Sequence, residues 1–379
     1  MSQILIEAKP VEVAGLDSPF RHIYLVFVPD QGAETVITAR AEDDLPFDFG
    51  DLVVNAGGLL ASSDVARGGD TPAERGSREI DVGQRDPADV WAVMLQQARN
   101  IDAAGIAYEL FSDNSNAAVS SVLHSVGIDL QGTMPGGVDE ENAPGLAENL
   151  ELDSVLVGTA AADVIYGATG DDNLDGRLGA DLLNGFGGND VLRGRAGDDR
   201  MIGGAGDDRL WGGPDADRLF GGPGDDWLEG NGGADRLLGG HGADLLFGGS
   251  GPDVLDGGAG DDQLIGGPGR DVMRGGPGSD SYRWSTLAEG GDTILDFATG
   301  PSGDRLLLSE LLEGFAPGGS DPADFVALSP SASATAIAVD PDGPADAAPT
   351  PLVTLDGLAG VDLGTLLADG NIILADPLS

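Results

Sequence analysis

The chain has no cysteine among its 379 residues. Disulfides, thiolate zinc sites, iron–sulfur clusters and a cysteine nucleophile are thereby excluded. Cations are also scarce: Lys and Arg number 19 against 65 Asp and Glu, a formal charge of −46. A surface of that sign repels nucleic acid and anionic membranes, so neither is expected as a partner. No apolar run reaches the roughly 18 residues that a spanning helix needs, so no transmembrane segment is expected. The opening residues, Met1-Ser-Gln-Ile-Leu-Ile-Glu7, lack a basic stretch followed by a long apolar one and do not read as a secretory signal peptide. There are only three histidines, His22, His124 and His241. No His-Glu-x-x-His zinc motif, Gly-x-Ser-x-Gly elbow or Gly-Lys-Ser/Thr phosphate loop occurs. His124, alone on a helical stretch, and His241, in a turn, are expected to be structural and exposed respectively.

Glycine, by contrast, is abundant. With proline it makes up 22% of the chain, against about 12% in average usage. Such an excess often means disorder, but here the glycines have a period. From Gly158 to Arg283 the sequence repeats every nine residues without a gap, over 126 residues or fourteen units. A clean unit is Gly203-Gly-Ala-Gly206-Asp-Asp208-Arg-Leu210-Trp211. Position 1 is always Gly, and position 4 is Gly except at Ala161 and Asp215. Position 6 is always Asp: Asp163, Asp172, Asp181, Asp190, Asp199, Asp208, Asp217, Asp226, Asp235, Asp244, Asp253, Asp262, Asp271 and Asp280. Position 8 is always large and apolar, ending with Met273 and Tyr282.

The spacing predicts short strands and tight turns. Side chains alternate across a strand, so position 8 points inward while positions 7 and 9 point out. The outward positions hold Arg200, Arg209, Arg218, Arg236, Asp175 and Glu229. Glycines permit the positive φ of the six-residue turn between strands. Two strands and two turns make an eighteen-residue coil, and fourteen units make seven coils. Equivalent aspartates then stack at every second unit. Carboxylates about 5 Å apart repel by roughly 1 kcal/mol in water and about 3 at an effective dielectric of 20. With one inward side chain per nine residues, such a ladder requires a counter-ion. Two carboxylates and several turn carbonyls form an all-oxygen shell that suits Ca²⁺. The span carries 22 Asp, one Glu and ten Arg. About six or seven divalent ions would balance that charge, fewer than the twelve sites the stacking offers.

This pattern resembles the RTX, or hemolysin-type, calcium-binding nonapeptide repeat. The resemblance covers the 126 residues of the array. It implies a parallel β-roll, multiple bound Ca²⁺ ions held by the fourteen aspartates, and folding that depends on them. It also implies type I secretion from a Gram-negative bacterium to an extracellular location, without an N-terminal signal. The first unit, which lacks Gly at positions 2 and 4, and the seventh, with Asp215, are expected to bind weakly or not at all.

After the array, Asp292-Thr-Ile-Leu-Asp296-Phe297 and Asp304-Arg-Leu-Leu-Leu-Ser309 alternate as strands covering the open end of the roll. They resemble the cap that follows RTX arrays in secreted proteases, and Asp292 with Asp296 is a candidate for a last metal site. Strands are expected at Phe325–Ser329, Thr335–Val339, Pro351–Gly357 and Asn371–Leu374, with a turn at Asp340-Pro-Asp-Gly343. This series resembles the C-terminal targeting region of type I substrates.

The N-terminal segment carries its own signals. Arg21–Val28 and Glu34–Arg40 read as paired strands. Asp89 is expected to cap a helix whose apolar face is Val90, Met94, Ala98 and Ile101, and a second helix is expected from Ser115 to Val126. Asn114-Ser115-Asn116 opens that second helix. The arrangement resembles circularly permuted papain-like folds, in which a strand histidine precedes an Asn-Cys-Asn nucleophile. His22 matches the histidine and Ser115 stands where the cysteine would be. Serine has a far higher pKa and needs strong general-base activation.

The expected fold class is therefore multidomain. An N-terminal α+β domain spans 1–138, a linker 139–157, the β-roll 158–283, a β-rich cap 284–311 and a secretion region 312–379. The expected function is that of a secreted calcium-binding protein whose partners are Ca²⁺ and the type I secretion machinery. Two alternatives stay open: a papain-like hydrolase or acyltransferase using His22 and Ser115, and a calcium-dependent adhesion or surface-layer component that self-associates.

Overall fold

An apolar residue recurring every nine positions between two outward neighbours can bury itself only if successive short strands face one another. The computed structural model has that arrangement. It describes residues 2–13, 16–28, 35–41, 52–59, 76–79, 82, 85–104, 121–126, 153–312, 315, 320–342 and 348–375. Two compact units divide the chain, Met1–Gly187 and Gly188–Ser379. Residues 155–294 form a parallel β-solenoid of about eight turns.

In the first unit, five strands form an antiparallel sheet in the order Leu52–Leu59, Thr35–Ala41, Leu16–Val28, Gln3–Val13, Gly76–Glu79. The paired strands expected over 21–28 and 34–40 are present, in register from Leu25↔Ile37 to Phe27↔Thr35. The helix Pro87–Ala104 follows. Its buried face includes the expected Val90, Met94 and Ala98, and is wider, adding Trp91, Val93 and Gln97. The cap is Asp86 rather than Asp89: Asp86 Oδ1 accepts from the Ala88 N–H at 2.8 Å, and Asp89 lies inside the first turn. Of the second expected helix, residues 121–124 are helical and Val122, Leu123 and Val126 are buried. The start of that helix at Ser115 lies outside the described residues.

The long helix also covers the first edge of the solenoid. The Gln96 side-chain amide exchanges two hydrogen bonds with Val157, each 2.8 Å, on the strand Val155–Val157. One side chain thus supplies the donor and acceptor that a neighbouring strand would have supplied, which satisfies an exposed sheet edge. Behind it, Val155–Val157 pairs in parallel with Asn173–Leu178, and Val164–Tyr166 with Leu182–Gly187.

In the second unit, alternate strands belong to opposite sheets. One sheet runs from Val191–Ala196 through Arg209–Pro214 and Trp227–Gly232 to Ser281–Arg283. The other runs from Arg200–Ala205 through Arg218–Pro223 to Val272–Arg274. Parallel partners are eighteen residues apart, as in Leu210↔Leu228 and Leu219↔Leu237. Every position-8 side chain is at most 1% exposed, from Ile165 to Tyr282. Positions 7 of Arg200, Arg209, Arg218 and Arg236 are exposed.

The segments after the array continue the same two sheets. Asp292–Ile294 pairs in parallel with Val272–Arg274, and Arg305–Leu307 with Ser281–Arg283. Thr350–Asp356 then adds to the first of these, and Ile372–Ile373 to the second. Val326–Pro330, Ala334–Val339 and Thr350–Asp356 form an antiparallel meander, as the alternation at 325–329, 335–339 and 351–357 predicts.

Candidate metal centre

Each position-6 aspartate sits where a turn enters its strand. That place is one residue away from the outward position 7 and two from the buried wall, so the carboxylate lies along the edge of the roll and not in its core. All fourteen are buried, with 0–4% exposure. The eighteen-residue stacking appears directly in their hydrogen bonds. The N–H of Asp163 donates to Oδ1 of Asp181 at 2.7 Å. In the second unit Asp190 donates to Asp208, Asp208 to Asp226 and Asp217 to Asp235, each at 2.8 Å, and Asp262 to Asp280 at 3.0 Å.

Among the described residues, Oδ2 of Asp217, Asp226, Asp235, Asp244, Asp253, Asp262 and Asp280 is buried without a hydrogen-bond partner. An unsatisfied buried anionic oxygen is costly. The cost shows in the proton affinities. Burial, with neighbouring carboxylates adding to it, pushes Asp217 up to about 8 and Asp244, Asp253 and Asp280 up to about 7.

What Oδ2 faces is equally informative. A Cβ placed on Gly221 would come within 2.2 Å of Asp226 Oδ2 and 2.8 Å of the Gly239 carbonyl oxygen. The same test at Gly239 gives 2.3 Å to Asp244 Oδ2 and 2.5 Å to the Gly257 carbonyl. Glycine at position 1 therefore keeps open a space onto which a carboxylate oxygen and a main-chain oxygen both point. Two oxygens with no donor between them fit a hard cation. Among the described residues no three His, Asp or Glu side chains converge. An ion here would thus draw on the aspartates of stacked turns and on glycine carbonyls, the donor set of a calcium site.

Residues 152–183, 184–219, 211–246, 220–255 and 247–282 match the model of the RTX calcium-binding nonapeptide repeat. The chain carries an RTX repeat array over residues 152–282. Its RTX array is a calcium-binding one. No curated protein matches the chain. Among solved structures, the extracellular lipase LipA from Serratia marcescens aligns at 18% identity and a TM-score of 0.25. That alignment covers 62% of this chain and 44% of the lipase, so the RTX chain spans less than half the length of that protein. A subunit of the Azotobacter vinelandii mannuronan C5-epimerase aligns at 30% identity and a TM-score of 0.21, covering 47% of this chain and 84% of the subunit.

The RTX ladder is longer than the nonapeptide count. Asp292 Oδ1 accepts from the Asp271 N–H at 2.9 Å, and Asp304 Oδ1 from the Asp280 N–H at 3.0 Å. Both are further rungs. Their signal is in the sequence: Asp292-Thr-Ile294 and Asp304-Arg-Leu306 repeat the pattern of positions 6 to 8, and Ile294 and Leu306 are fully buried. Insertions shift them to spacings of 21 and 24, which hid them from a strict nine-residue count. A second column also went unread. At position 5, Asp207 accepts from the Asp225 N–H at 2.9 Å and Asp225 from the Ala243 N–H at 2.7 Å, on exposed turns.

The expected pairing of Asp292 with Asp296 around a metal is not what the structure has. Asp292 Oδ2 accepts from the Trp284 indole N–H at 2.7 Å, while Asp296 accepts from the N–H groups of Gly275 and Gly276 at 3.2 and 3.0 Å. Protein donors already occupy both carboxylates. His241 is exposed, as its turn position predicts. His124 packs its ring 5.6 Å from Tyr166 and 4.9 Å from Phe186, and burial lowers its pKa, so it serves as a packing residue. His22 lies on the strand Leu16–Val28, opposite Lys9 in register. Ser115 is outside the described residues.

Proposed function

We propose that this chain is an exported calcium-binding protein whose roll folds when Ca²⁺ enters the ladder. The observation that carries the reading is the row of buried Oδ2 atoms that face main-chain oxygens and lack donors. In the presence of Ca²⁺ each such oxygen gains a positive partner, and repulsion along the column becomes attraction. Extracellular modules hold Ca²⁺ with dissociation constants of about 10⁻⁴–10⁻³ M. A ladder of that affinity stays empty in a cytosol poor in free Ca²⁺ and fills outside. The chain would then pass unfolded through a type I exporter and fold on the far side.

Circular dichroism tests it. Chelation with EGTA at pH 7.5 is expected to abolish most of the β signal, and Ca²⁺ but not Mg²⁺ to restore it. Unchanged β content in the chelated protein would refute the reading.

A further inference from the structure

The two aspartate columns do not end in the way they run. In the interior, Oδ2 of the rungs from Asp217 to Asp262 lacks a donor. At the ends that oxygen is taken. Asp163 Oδ2 accepts from the Thr159 N–H at 2.6 Å and from the Thr159 hydroxyl at 3.0 Å. Asp172 Oδ2 accepts from the Ala168 N–H at 2.6 Å, and Ser154 N–H donates to its Oδ1. At the other end, Asp292 Oδ2 is closed by the Trp284 indole, and Asp304 Oδ2 by the Ala298 N–H at 2.7 Å.

A backbone difference underlies the first pair. Position 2 is left-handed in every unit from Arg177 to Gly276, but not at Thr159 or Ala168. In those first two turns the position-2 N–H reaches the carboxylate of its own unit. In left-handed turns it goes elsewhere: Gly249 and Gly258 donate to the carbonyls of Gly266 and Gly275 at 2.9 and 3.0 Å. Threonine is β-branched and disfavours positive φ, so at Thr159 the sequence itself selects the closed form. Beyond the last rung of one column the next residue in line is neutral. Asn371 donates from Nδ2 to the Asp304 carbonyl at 2.7 Å.

We propose that cation uptake is confined to the interior rungs, and that Asp163, Asp172, Asp292 and Asp304 are end rungs completed by protein donors, Trp284 being the residue that seals one column. This rests on the calcium reading above. An N–H that occupies the oxygen facing the ion space does the work of the ion at that rung. The roll therefore begins and ends on turns that need no metal, and each gives the first ion-bearing turn a formed neighbour to stack on.

Equilibrium dialysis of the full chain against saturating Ca²⁺, with bound ions counted by atomic emission, tests this. D226N and D244N are expected to hold at least one ion fewer than the native chain, whereas D292N and D163N hold the native number. W284F keeps the Asp292 carboxylate but removes its donor; its count is expected to stay or to rise by one. A lowered count in D292N, D163N or W284F overturns the proposal, as does a native count in both D226N and D244N. Should D292N fail to regain its β signal in Ca²⁺, D163N decides at the opposite end. If the native chain binds no Ca²⁺ at all, the calcium reading itself falls, which separates the two failures.

Discussion

A left-handed backbone costs an L-residue roughly 1–2 kcal/mol, and five non-glycine residues of the roll adopt it: Arg177, Phe186, Arg195, Asp215 and Asn231. They sit at positions 2 and 4, where most units have glycine. Phe186 has a visible return, since its ring packs against His124 and Tyr166. Arg177 is exposed, with φ of 79°. R177G is therefore expected to stabilise the calcium-loaded protein by about 0.5–1 kcal/mol, the greater freedom of glycine in the unfolded chain offsetting part of the relief. A higher urea midpoint at saturating Ca²⁺ would bear this out, and an unchanged or lower one would count against it. The strain itself was legible as a departure from the glycine consensus. The closed rungs at Asp163 and Asp172 were legible only as missing glycines. Which oxygen the freed N–H would reach depends on φ at one residue, and composition does not fix that.

At the scale of single strands, the wall of the roll is one apolar residue per turn. Leu228 is fully buried between Leu210 and Leu246 of the parallel neighbours. No second layer is available to refill a void there. L228A is expected to cost about 2–5 kcal/mol, read as a loss of thermal and urea stability in Ca²⁺. R236A, on an exposed outward position, is expected to cost less than about 0.5 kcal/mol. Equal effects would show that position 8 is not the core. This contrast is what the nine-residue period predicts, because alternation fixes which side chain of a three-residue strand turns inward. The same logic failed where the period broke. Insertions before Asp292 and Asp304 preserve strand and rung but not spacing, so those strands read as a cover and not as further turns of the same sheets. The Gln96–Val157 edge closure was illegible for another reason: a glutamine amide that completes a sheet edge looks, in sequence, like any polar residue on a helix.

Across the whole molecule the ladder couples folding to protons as well as to Ca²⁺. In the metal-free fold, burial raises the interior carboxylates: Asp226 and Asp262 to about 6, Asp244, Asp253 and Asp280 to about 7, Asp217 to about 8. In the unfolded chain an aspartate titrates near 3.9. The folded state thus binds more protons between these limits, and stability falls as pH rises wherever the folded state is the more protonated. The sign is opposite to that of a salt-bridged carboxylate. Protonation also reduces the repulsion behind a formal charge of −46, which acts in the same direction. The chain in EGTA is therefore expected to gain β signal as pH is lowered from 8 to 5. In Ca²⁺ the dependence is expected to flatten, because the unfolded chain and the calcium-loaded roll both hold these carboxylates ionised between pH 5 and 8: the concentration needed for half-maximal folding should not rise as pH falls through this range. Dichroism titrations at pH 5, 6, 7 and 8, with and without Ca²⁺, give both arms. A metal-free signal that is flat over this range would mean that the buried carboxylates do not oppose folding, and the need for a counter-ion would have to be sought elsewhere in the chain.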